Sequence, residues 1–354
     1  MIGRLAGAVL AACTLLALLA VTAAGEAPPG PRLAVQVSTP YPQNLDAIET
    51  VGPHGEEPLR VAGGEGENLR RPNSSRPAWS PDGSLLAFTD NLGELSPVPY
   101  VVGAEGGKPR LVSKTTPLSD PIFSADGRRL VFSVLRVVKG HFERPQARRQ
   151  HGGGVVVDWA IWSVSLDGKR VRKVTGWQRR QRLIPVSFSP HGRFLAAERY
   201  GPRGLDAVVI DLENRDVRVA ARNAEEPVFS PDGSRIAFVR TKLRRPEERE
   251  GNRRPGSSAL LVVPASLEGK PKRLVRIRGG LAWPSWDPSG SRIAFTRLEG
   301  GSSLSPSTPA DGNAVMQVNA DGTCLGTLLS IKRGYYEGVA WRPGPGRGAG
   351  PIAC

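Results

Sequence analysis

A short motif recurs along this chain and constrains its fold more than any other feature. One copy is "RPAWSPDGSLLAFTD" at residues 76–90, in which an aromatic residue precedes a Ser-Pro-Asp-Gly turn and an apolar stretch follows it. Pro suits the second position of a type I turn, Asp bonds its own backbone, and Gly accepts a positive φ. The β-prone residues on either side therefore predict two strands paired through a hairpin turn.

The aromatic residue before the turn identifies six copies. Only 6% of the residues are aromatic, so an aromatic side chain in every copy indicates a structural role in the repeat. These residues are Trp79, Phe123, Phe188, Phe229, Trp286 and Trp341. A second ring follows further along in most copies, as Phe88, Phe132, Phe238 and Phe295, with Ala197 as the exception.

A second pair of strands lies between consecutive copies. "AIWSVSLDGKRVRKVT", for example, runs from an apolar strand through a Gly-containing turn into another strand. Four strands in a repeat of roughly forty residues is the spacing of a propeller blade, whose sheet buries both faces only against neighbouring blades. The sequence thus predicts an all-β fold, a six-bladed β-propeller; helical solenoids and Leu or Asn ladders do not match the pattern.

The repeated aromatic-Ser-Pro-Asp-Gly followed by Arg-Ile-Ala-Phe resembles the WD-like propeller repeat of TolB-type proteins. Residues 229–238 show both halves of this motif. The resemblance covers nearly all of the chain after its leader, and it implies a six-bladed propeller in a periplasmic or secreted protein. TolB itself has an additional α/β domain before the propeller; here the first repeat begins soon after the leader, so we expect no such domain.

The last repeat is shortened, which predicts how the ring closes. Its innermost strand is expected at Val339–Arg342, and Pro345 then stands where other copies have Gly, although Pro cannot adopt a positive φ. Three unassigned strands lie near the N-terminus, at 32–38, 46–51 and 58–62. We therefore predict that blade 6 combines these N-terminal strands with the C-terminal innermost strand; the alternatives are an N-terminal segment outside the ring or a seventh blade.

The N-terminus has the pattern of a secretory signal. Arg4 precedes an uncharged run from Leu5 to Ala24 that ends in small residues. We expect a signal peptide at 1–27 and a single propeller domain at 28–354, without a membrane span after cleavage, in a secreted, periplasmic or other cell-envelope protein. An uncleaved anchor and a lipid attached at Cys13 are the alternatives.

Basic residues concentrate in two long insertions, about 135–156 and 240–257, which a propeller places between the second and third strands of blades 2 and 4. The formal net charge is +15. Both insertions open on the end of the propeller that also carries the crossings between blades, including "WQRRQR". The candidate binding residues of this basic face are Arg136, Lys139, Arg144, Arg148, Arg149, Arg179, Arg180, Arg182, Lys242, Arg244, Arg245, Arg253 and Arg254.

Such a face favours an acidic partner, which is a protein, an anionic envelope polymer or lipid head groups. The alternative is that Arg-rich solvated loops only reflect the composition of the chain. Export and the scarcity of stacking aromatic residues disfavour nucleic acid. We expect a non-catalytic binding scaffold that acts as a monomer.

No catalytic, metal-binding or cofactor-binding motif stands out. The HGGG at 151–154 lacks an accompanying Gly-x-Ser-x-Gly, and the His residues have no ligand spacing. Turn formation explains the Asp-Gly pairs. On the innermost strands as the repeat places them, only Asp287 is ionisable, which disfavours a hydrolase or lyase working in the central channel. That enzyme and a purely structural cell-surface module remain the alternative functions.

Two cysteines remain after the leader, Cys324 and Cys354. Cys324 lies in a predicted turn of blade 5, at the end of the propeller where the final strand leaves the ring. The Gly- and Pro-rich tail can span the separation. We therefore predict a Cys324–Cys354 disulfide in an oxidising compartment, the alternative being unpaired or intermolecular cysteines.

Overall fold

The computed structural model describes residues 32–38, 46–63, 76–91, 97–139, 156–202, 204–243, 255–298, 314–330, 335–344 and 350–354. Over these ranges the chain forms six antiparallel sheets and contains no helix. Consequently no helix there has the length and apolarity needed to cross a membrane. The expected signal peptide at 1–27 and the centres of both basic insertions lie outside the described residues.

Each sheet is one blade, and in blades 1 to 5 the main strands pair in chain order from the propeller axis outward. Strands β1 (Leu33–Ser38), β2 (Asp46–Val51) and β3 (Leu59–Gly63) come first in the chain. Blade 1 contains β4 (Ala78–Trp79), β5 (Leu85–Asn91), β6 (Pro97–Gly103) and β7 (Gly106–Leu111). Blade 2 contains β8 (Ile122–Phe123), β9 (Arg129–Lys139), β10 (Val156–Ser165) and β11 (Val171–Lys173), and the short β12 (Gln178–Arg179) also pairs with β10.

The remaining blades have four strands each. Blade 3 contains β13 (Arg182–Phe188), β14 (Phe194–Gly201), β15 (Gly204–Asp211) and β16 (Val217–Arg222). Blade 4 contains β17 (Glu225–Phe229), β18 (Arg235–Leu243), β19 (Pro255–Pro264) and β20 (Lys272–Arg278). Blade 5 contains β21 (Gly280–Trp286), β22 (Arg292–Leu298), β23 (Ala314–Asn319) and β24 (Gly326–Ser330).

Blade 6 is built from both ends of the chain, which confirms the sequence prediction. Its innermost strand is β25 (Tyr335–Trp341), followed outward by β1, β2 and β3. In the register of β25 and β1, Leu33 pairs with Trp341. Beyond the strands, the Arg342 amide donates to the Arg32 carbonyl at 2.7 Å. The ring is thus closed by hydrogen bonds between the two termini.

The recurring turns have the expected conformation. In the first copy the Gly83 amide donates to the Ser80 carbonyl at 2.8 Å, and Gly83 has φ +69°. A Cβ atom at Gly83 would lie 2.5 Å from the Pro343 carbonyl oxygen, so the turn also needs Gly for close packing. In the blade 4 copy, hydrogen bonds from Ser230 and Ser234 lower the pKa of Asp232 to about 2. The turn Asp residues therefore hold local hydrogen bonds.

The hydrophobic core lies between the blades. Each cluster of buried apolar residues joins neighbouring blades, and together the clusters cover all six interfaces of the ring. Phe88, Phe132, Phe238 and Phe295 are almost completely buried there. The rings before the turns also bridge blades, since Trp79 Nε1 donates to the Ala340 carbonyl at 2.9 Å. A single blade could not bury these faces alone.

The strands that flank the two insertions are longer than the sequence indicated, so the segments between them are shorter than the predicted 135–156 and 240–257. Strand β9 continues to Lys139 and β10 begins at Val156, while β18 continues to Leu243 and β19 begins at Pro255. Arg136, Lys139 and Lys242 therefore lie on strands, which corrects their assignment to loops. The backbone hydrogen bonds of each strand pair continue beyond the last apolar residues by which the strands were recognised in the sequence.

The predicted disulfide is present. Cys324 and Cys354 are bonded, with their Cα atoms 5.0 Å apart. Asn319 fixes the tail next to the bridge, because its side chain accepts from the Ile352 amide at 2.7 Å and donates to the Ile352 carbonyl at 2.9 Å. The C-terminal tail is thereby attached to the third strand of blade 5.

Candidate functional site

The innermost strands enclose an axial channel with a widened cavity towards each end. Strands β4, β8, β13, β17, β21 and β25 contact one another in this order around the ring. We call the end at the first turn of each blade the turn end, and the end at the crossings between blades the crossing end. The cavity towards the turn end measures about 470 Å³, and the one towards the crossing end about 330 Å³.

The turn end is mainly apolar. Its cavity is lined by all six repeat aromatic residues and by prolines of the recurring turns, including Pro81, Pro190, Pro231, Pro288 and Pro343. Five of the six rings are more than nine-tenths buried, and Phe188 is half-buried. The aromatic residues thus have the structural role expected from the repeat, while their edges also form part of the channel wall.

The crossing end contains ionisable residues that the sequence reasoning missed. The expectation that only Asp287 is ionisable on the innermost strands is wrong, because β13, β17 and β25 begin several residues earlier than the repeat indicates. These earlier positions include Arg182, Glu225, Glu226 and Glu337. Asp287 itself follows β21 and is fully buried, where it accepts from the Arg292 amide at 3.0 Å.

A β-bulge explains why these strand starts were missed. Pairing within blades 4 and 5 shifts between Glu225 and Val228, and between Ala282 and Ser285. Glu226 and Trp283, at the same distance before the repeat aromatic residue, have φ values of +56° and +54°. A bulge interrupts the two-residue alternation by which a strand is recognised in sequence. Positive φ is also unusual for such side chains and marks a conformation held by its surroundings.

Two glutamates connect three consecutive blades at the crossing end. Glu198 of blade 3 accepts from the Glu226 amide of blade 4 at 2.9 Å. The Glu226 carboxylate in turn accepts from the Trp283 amide of blade 5. Glu198 and Glu226 are 7% and 9% exposed, so both carboxyl groups are largely withdrawn from water. Backbone amides at the bulges are thus satisfied by side chains of the preceding blade.

The electrostatics of this cluster follow from burial and crowding. Burial raises the pKa values of Glu198, Glu225 and Glu226, and repulsion among the carboxylates adds to this rise for Glu225 and Glu226. Arg76 lies beside them, where burial lowers its pKa and the carboxylates of Glu226, Asp120 and Glu198 counteract that effect. The crossing end of the channel therefore combines protonatable carboxyl groups with a partly buried cation.

Arg182 belongs to this cluster and not to the exposed basic face. It begins β13, and its guanidinium donates to the Leu118 carbonyl at 2.6 Å. The same group lies 4.9 Å from the ring centre of Trp159. Its assignment to a crossing between blades is therefore corrected, since the chain enters the innermost strand at this residue and turns the side chain towards the channel.

Two cations of blade 2 share one buried carboxylate. Arg136 on β9 and Arg179 on β12 both pair with Asp158 on β10, at 3.0 Å and 3.5 Å. Asp158 is only 4% exposed, while the side chains of Arg136 and Arg179 are about half-exposed or more. The strand register thus places an acidic residue between two basic ones, and its carboxylate offsets one of their two positive charges.

Four cations of blade 4 lack such a carboxylate. Arg240 and Lys242 lie on β18, and Arg276 and Arg278 lie on β20; we call these four residues the blade 4 tetrad. All four are exposed, and no salt bridge among the described residues includes them. Arg276 and Arg278 were not singled out in the sequence, because only the pairing of β18 and β20 with β19 brings them level with Arg240 and Lys242.

The other predicted binding residues divide into two groups. Arg180 is exposed and follows β12 with φ +58°, and Lys139 is the last residue of β9. Arg144, Arg148, Arg149, Arg244, Arg245, Arg253 and Arg254 lie outside the described residues. Among the described residues no group of His, Cys, Asp and Glu has the arrangement needed to hold a metal ion.

Glu337 makes the stability of the ring depend on pH. Burial, with a contribution from the carboxylates of Asp46 and Asp120, raises its pKa from 4.5 to about 7. Because the folded state then retains a proton that the unfolded state releases, stability is full below pH 4.5 and decreases as the pH rises through about 7.

We expect Glu337→Gln to reduce this decrease and to raise the free energy of unfolding at pH 8 by about 1 to 2 kcal/mol, allowing for its partial exposure. Gln36, which donates to Glu337 at 3.4 Å, can donate equally to the new amide oxygen. Urea unfolding at pH 5 and pH 8 measures the effect. Parallel pH profiles for the variant and the parent would contradict it.

Together, the six sheets, the axial channel and the closure by both termini define a six-bladed β-propeller. Among solved structures, TolB from Acinetobacter baumannii matches with a TM-score of 0.63 at 17% identity, over 88% of this chain and 66% of TolB. A TolB protein from Agrobacterium tumefaciens matches with a TM-score of 0.55 at 17% identity, over 86% of this chain and 91% of that protein.

A chain of a nidogen/laminin complex matches with a TM-score of 0.53 at 14% identity, over 88% of this chain and 98% of that one. No protein-family model matches the sequence, and no curated protein matches it. The chain thus has a TolB-like six-bladed propeller fold, as its repeat predicted, and it covers slightly less than two thirds of the A. baumannii protein.

Proposed function

We propose that this protein is an extracytoplasmic, non-catalytic binding scaffold whose crossing end binds an anionic polymer of the cell envelope. The observation that carries the proposal is the set of exposed cations on the blade 4 strands that lead into and flank a basic insertion, without carboxylate partners among the described residues. Uncompensated positive charge on one surface raises the local concentration of anionic partners. The surface thereby has the chemistry of a polyanion site.

The channel carboxylates support a scaffold more than an enzyme. Glu198 and Glu226 accept hydrogen bonds from backbone amides of the next blade, so part of their capacity is used in joining blades. Function on a shared fold comes from a site and not from the fold itself. The exposed cations are the groups most accessible to a large ligand.

The disulfide supports a location outside the cytoplasm. Structural disulfides form and persist in oxidising compartments and are rare in the cytosol. Cys324 and Cys354 are bonded in the fold, and the N-terminal sequence has the pattern of an export signal. Both features agree with a protein of the cell envelope or the extracellular medium.

Salt dependence tests the proposed function. We expect the protein to bind a soluble anionic polymer at low ionic strength and to lose most of that binding as salt rises, because exposed charges are screened over roughly 8 to 10 Å. Replacing Arg148, Arg149, Arg244 and Arg245 by Glu should remove most of the binding. Retention on an anionic resin over a salt gradient measures both effects.

A matched control keeps the change in net charge the same. Lys108, Arg128, Lys169 and Lys270 are exposed and lie at or near the turn end, so their replacement by Glu should leave retention much closer to that of the parent. Equal losses in both variants would show that only overall charge matters. If the protein bound an acidic protein but no anionic polymer, the partner would be a protein and the proposed polymer ligand would be wrong.

The channel provides a second candidate function, a hydrolase or lyase acting at the crossing end. The specific observation is the group of carboxyl residues whose pKa values are raised by burial, since a carboxyl group that retains its proton more readily can act as a general acid. Under this alternative, Glu225→Gln should abolish turnover of an envelope glycan without changing polymer retention. Release of no product by the parent would exclude that substrate.

A further inference from the structure

We propose that the blade 4 tetrad is a binding site for a phosphodiester-bearing polymer, whose phosphate groups lie between the paired cations. This inference rests on the proposed function and specifies both the surface and the ligand chemistry. Blades 2 and 4 each carry a row of three paired side chains with a cation at either end. The central residue of the row is a carboxylate in blade 2 and a neutral residue in blade 4.

The two blades arrange their cations in the same strand register. In blade 2, Asp158 on the third strand pairs with Arg136 on one side and Arg179 on the other. In blade 4, Ser257 pairs with Lys242 and Arg278 in the same way. Four residues further along the third strand, Trp162 and Leu261 face the equivalent rings Phe132 and Phe238, which aligns Asp158 with Ser257. Blade 4 therefore has a neutral residue where blade 2 has a carboxylate.

A second basic row lies beside the first one. Ala259 pairs with Arg240 and with Arg276, so the central residue is again small and neutral. Arg276 also donates to the Ser257 hydroxyl at 3.1 Å, which shows that the two rows share one face of the sheet. The strands carrying the cations are two strand spacings apart, roughly 10 Å, and the rows are separated by roughly 7 Å along each strand.

Four cations on one face repel each other unless an anion lies between them. In blade 2 the two oxygens of Asp158 divide between the two arginines, Oδ2 towards Arg136 and Oδ1 towards Arg179. A phosphodiester likewise carries one negative charge on two unesterified oxygens, which can divide between Lys242 and Arg278. A second phosphate of the same chain can take the equivalent place between Arg240 and Arg276.

The ligand that fits both rows is a flexible polymer with regularly spaced phosphodiesters. Three of the four cations are arginines, whose planar guanidinium groups suit oxyanions of this type. A phosphodiester remains ionised throughout the physiological pH range, so its attraction to the tetrad would not vary with pH. A short repeat between phosphates allows two consecutive groups to reach the two rows.

Installing the missing carboxylate tests this site directly. In Ser257→Asp the chain supplies its own counterion at the position of Asp158, and we expect affinity for soluble poly(glycerol phosphate) to decrease by about tenfold or more. The slope of log affinity against log salt should also become shallower by about 1, as fewer counterions are released. Ser257→Asn, which adds similar volume without charge, should bind as the parent does.

The reciprocal variant uses blade 2. Asp158→Asn releases Arg136 and Arg179 from their shared carboxylate, and we expect it to increase affinity for the same polymer severalfold. Titration calorimetry at several salt concentrations measures all variants, and unfolding midpoints show whether each one is folded. The insertion variant with Arg148, Arg149, Arg244 and Arg245 replaced by Glu provides a comparison outside the tetrad.

The possible outcomes separate the site from the general function. If Ser257→Asp binds like the parent while the insertion variant does not, the tetrad is not the site but the proposed function stands. If the parent binds no polyanion at all, both proposals fail. Stronger binding of polygalacturonate than of poly(glycerol phosphate) at equal charge would overturn the phosphodiester assignment. If Ser257→Asn lost as much affinity for the polymer as Ser257→Asp, the added volume and not the added charge would be the cause. That result would also contradict the proposal.

Discussion

Removing the Cys324–Cys354 bridge is expected to lower the free energy of unfolding by about 3 to 4 kcal/mol, the loss that chain entropy assigns to a loop of this size. The two residues are 30 positions apart in sequence. Without the bond, only hydrogen bonds such as those of Asn319 with Ile352 hold the tail to the third strand of blade 5. The measurement is urea unfolding of the Cys324→Ser, Cys354→Ser double variant against the oxidised parent.

Reduction provides the matched control for this experiment. The reduced parent should unfold at the same urea concentration as the double variant, and reductant should not change the variant at all. The innermost strand β25 should become accessible to hydrogen exchange earlier than β22, because β25 directly precedes the tail that the bridge fastens to blade 5. A double variant as stable as the oxidised parent would show that the bridge does not stabilise the closure.

Replacing Arg76 by Gln should lower the free energy of unfolding at pH 8 by about 2 to 4 kcal/mol, since it removes a cation beside several partly or fully buried carboxylates. Arg76 stabilises the ionised forms of Glu226, Asp120 and Glu198, and its guanidinium donates to the Pro284 carbonyl at 3.4 Å. The expected loss is given as a range because Arg76 lines the channel, where water partly screens its charge. Chemical unfolding at pH 8 and pH 5 provides the measurement.

The pH dependence identifies the cause of this loss. Burial raises the pKa values of Glu198, Glu225 and Glu226 above 4.5, so these carboxyl groups take up protons in the folded state as the pH falls towards 4.5. Their attraction to Arg76 exists only when they are ionised, and the loss in Arg76→Gln should therefore be smaller at pH 5 than at pH 8.

Arg60→Gln serves as a control on an exposed ion pair. Arg60 and Glu49 are 3.2 Å apart, with side chains 47% and 23% exposed. Such a pair contributes at most about 1 kcal/mol, and the variant should show little dependence on pH in this range. If Arg76→Gln and Arg60→Gln had equal effects at both pH values, the channel cluster would not be electrostatically coupled in the way inferred.

Much of the fold could be predicted because its determinants are local. The turn before Leu85 needs Gly83 at a positive φ, and Trp79 marks the strand that precedes it. The aromatic residue repeats in all six copies and the turn glycine in five of them, so the same local preference is expressed several times. The shortened final repeat and the unassigned N-terminal strands then leave one way to complete the ring. The disulfide follows because the final strand leaves the ring at the end of the propeller that also carries the turn with Cys324.

The candidate sites could be predicted only in part, because their members are joined by pairing across strands. Glu226 was not counted among the ionisable residues of the innermost strands, since the bulge interrupts the alternation that would have included it. Arg182 looked like one of several loop arginines, yet its strand turns it towards the channel. Arg276 and Arg278 are distant in sequence from Lys242, and only the three-strand register of blade 4 places them on one face.

Sequence alone was therefore sufficient for the number of blades, the closure of the ring and the pairing of the cysteines, because turns and strand order depend on short-range chemistry repeated along the chain. Tertiary structure decided which charges are neutralised. Asp158 and Ser257 occupy equivalent positions between two cations, but only the row with Asp158 contains a counterion. Electrostatic balance depends on distances across strands, and those distances are set by register and bulges instead of by neighbours in the sequence.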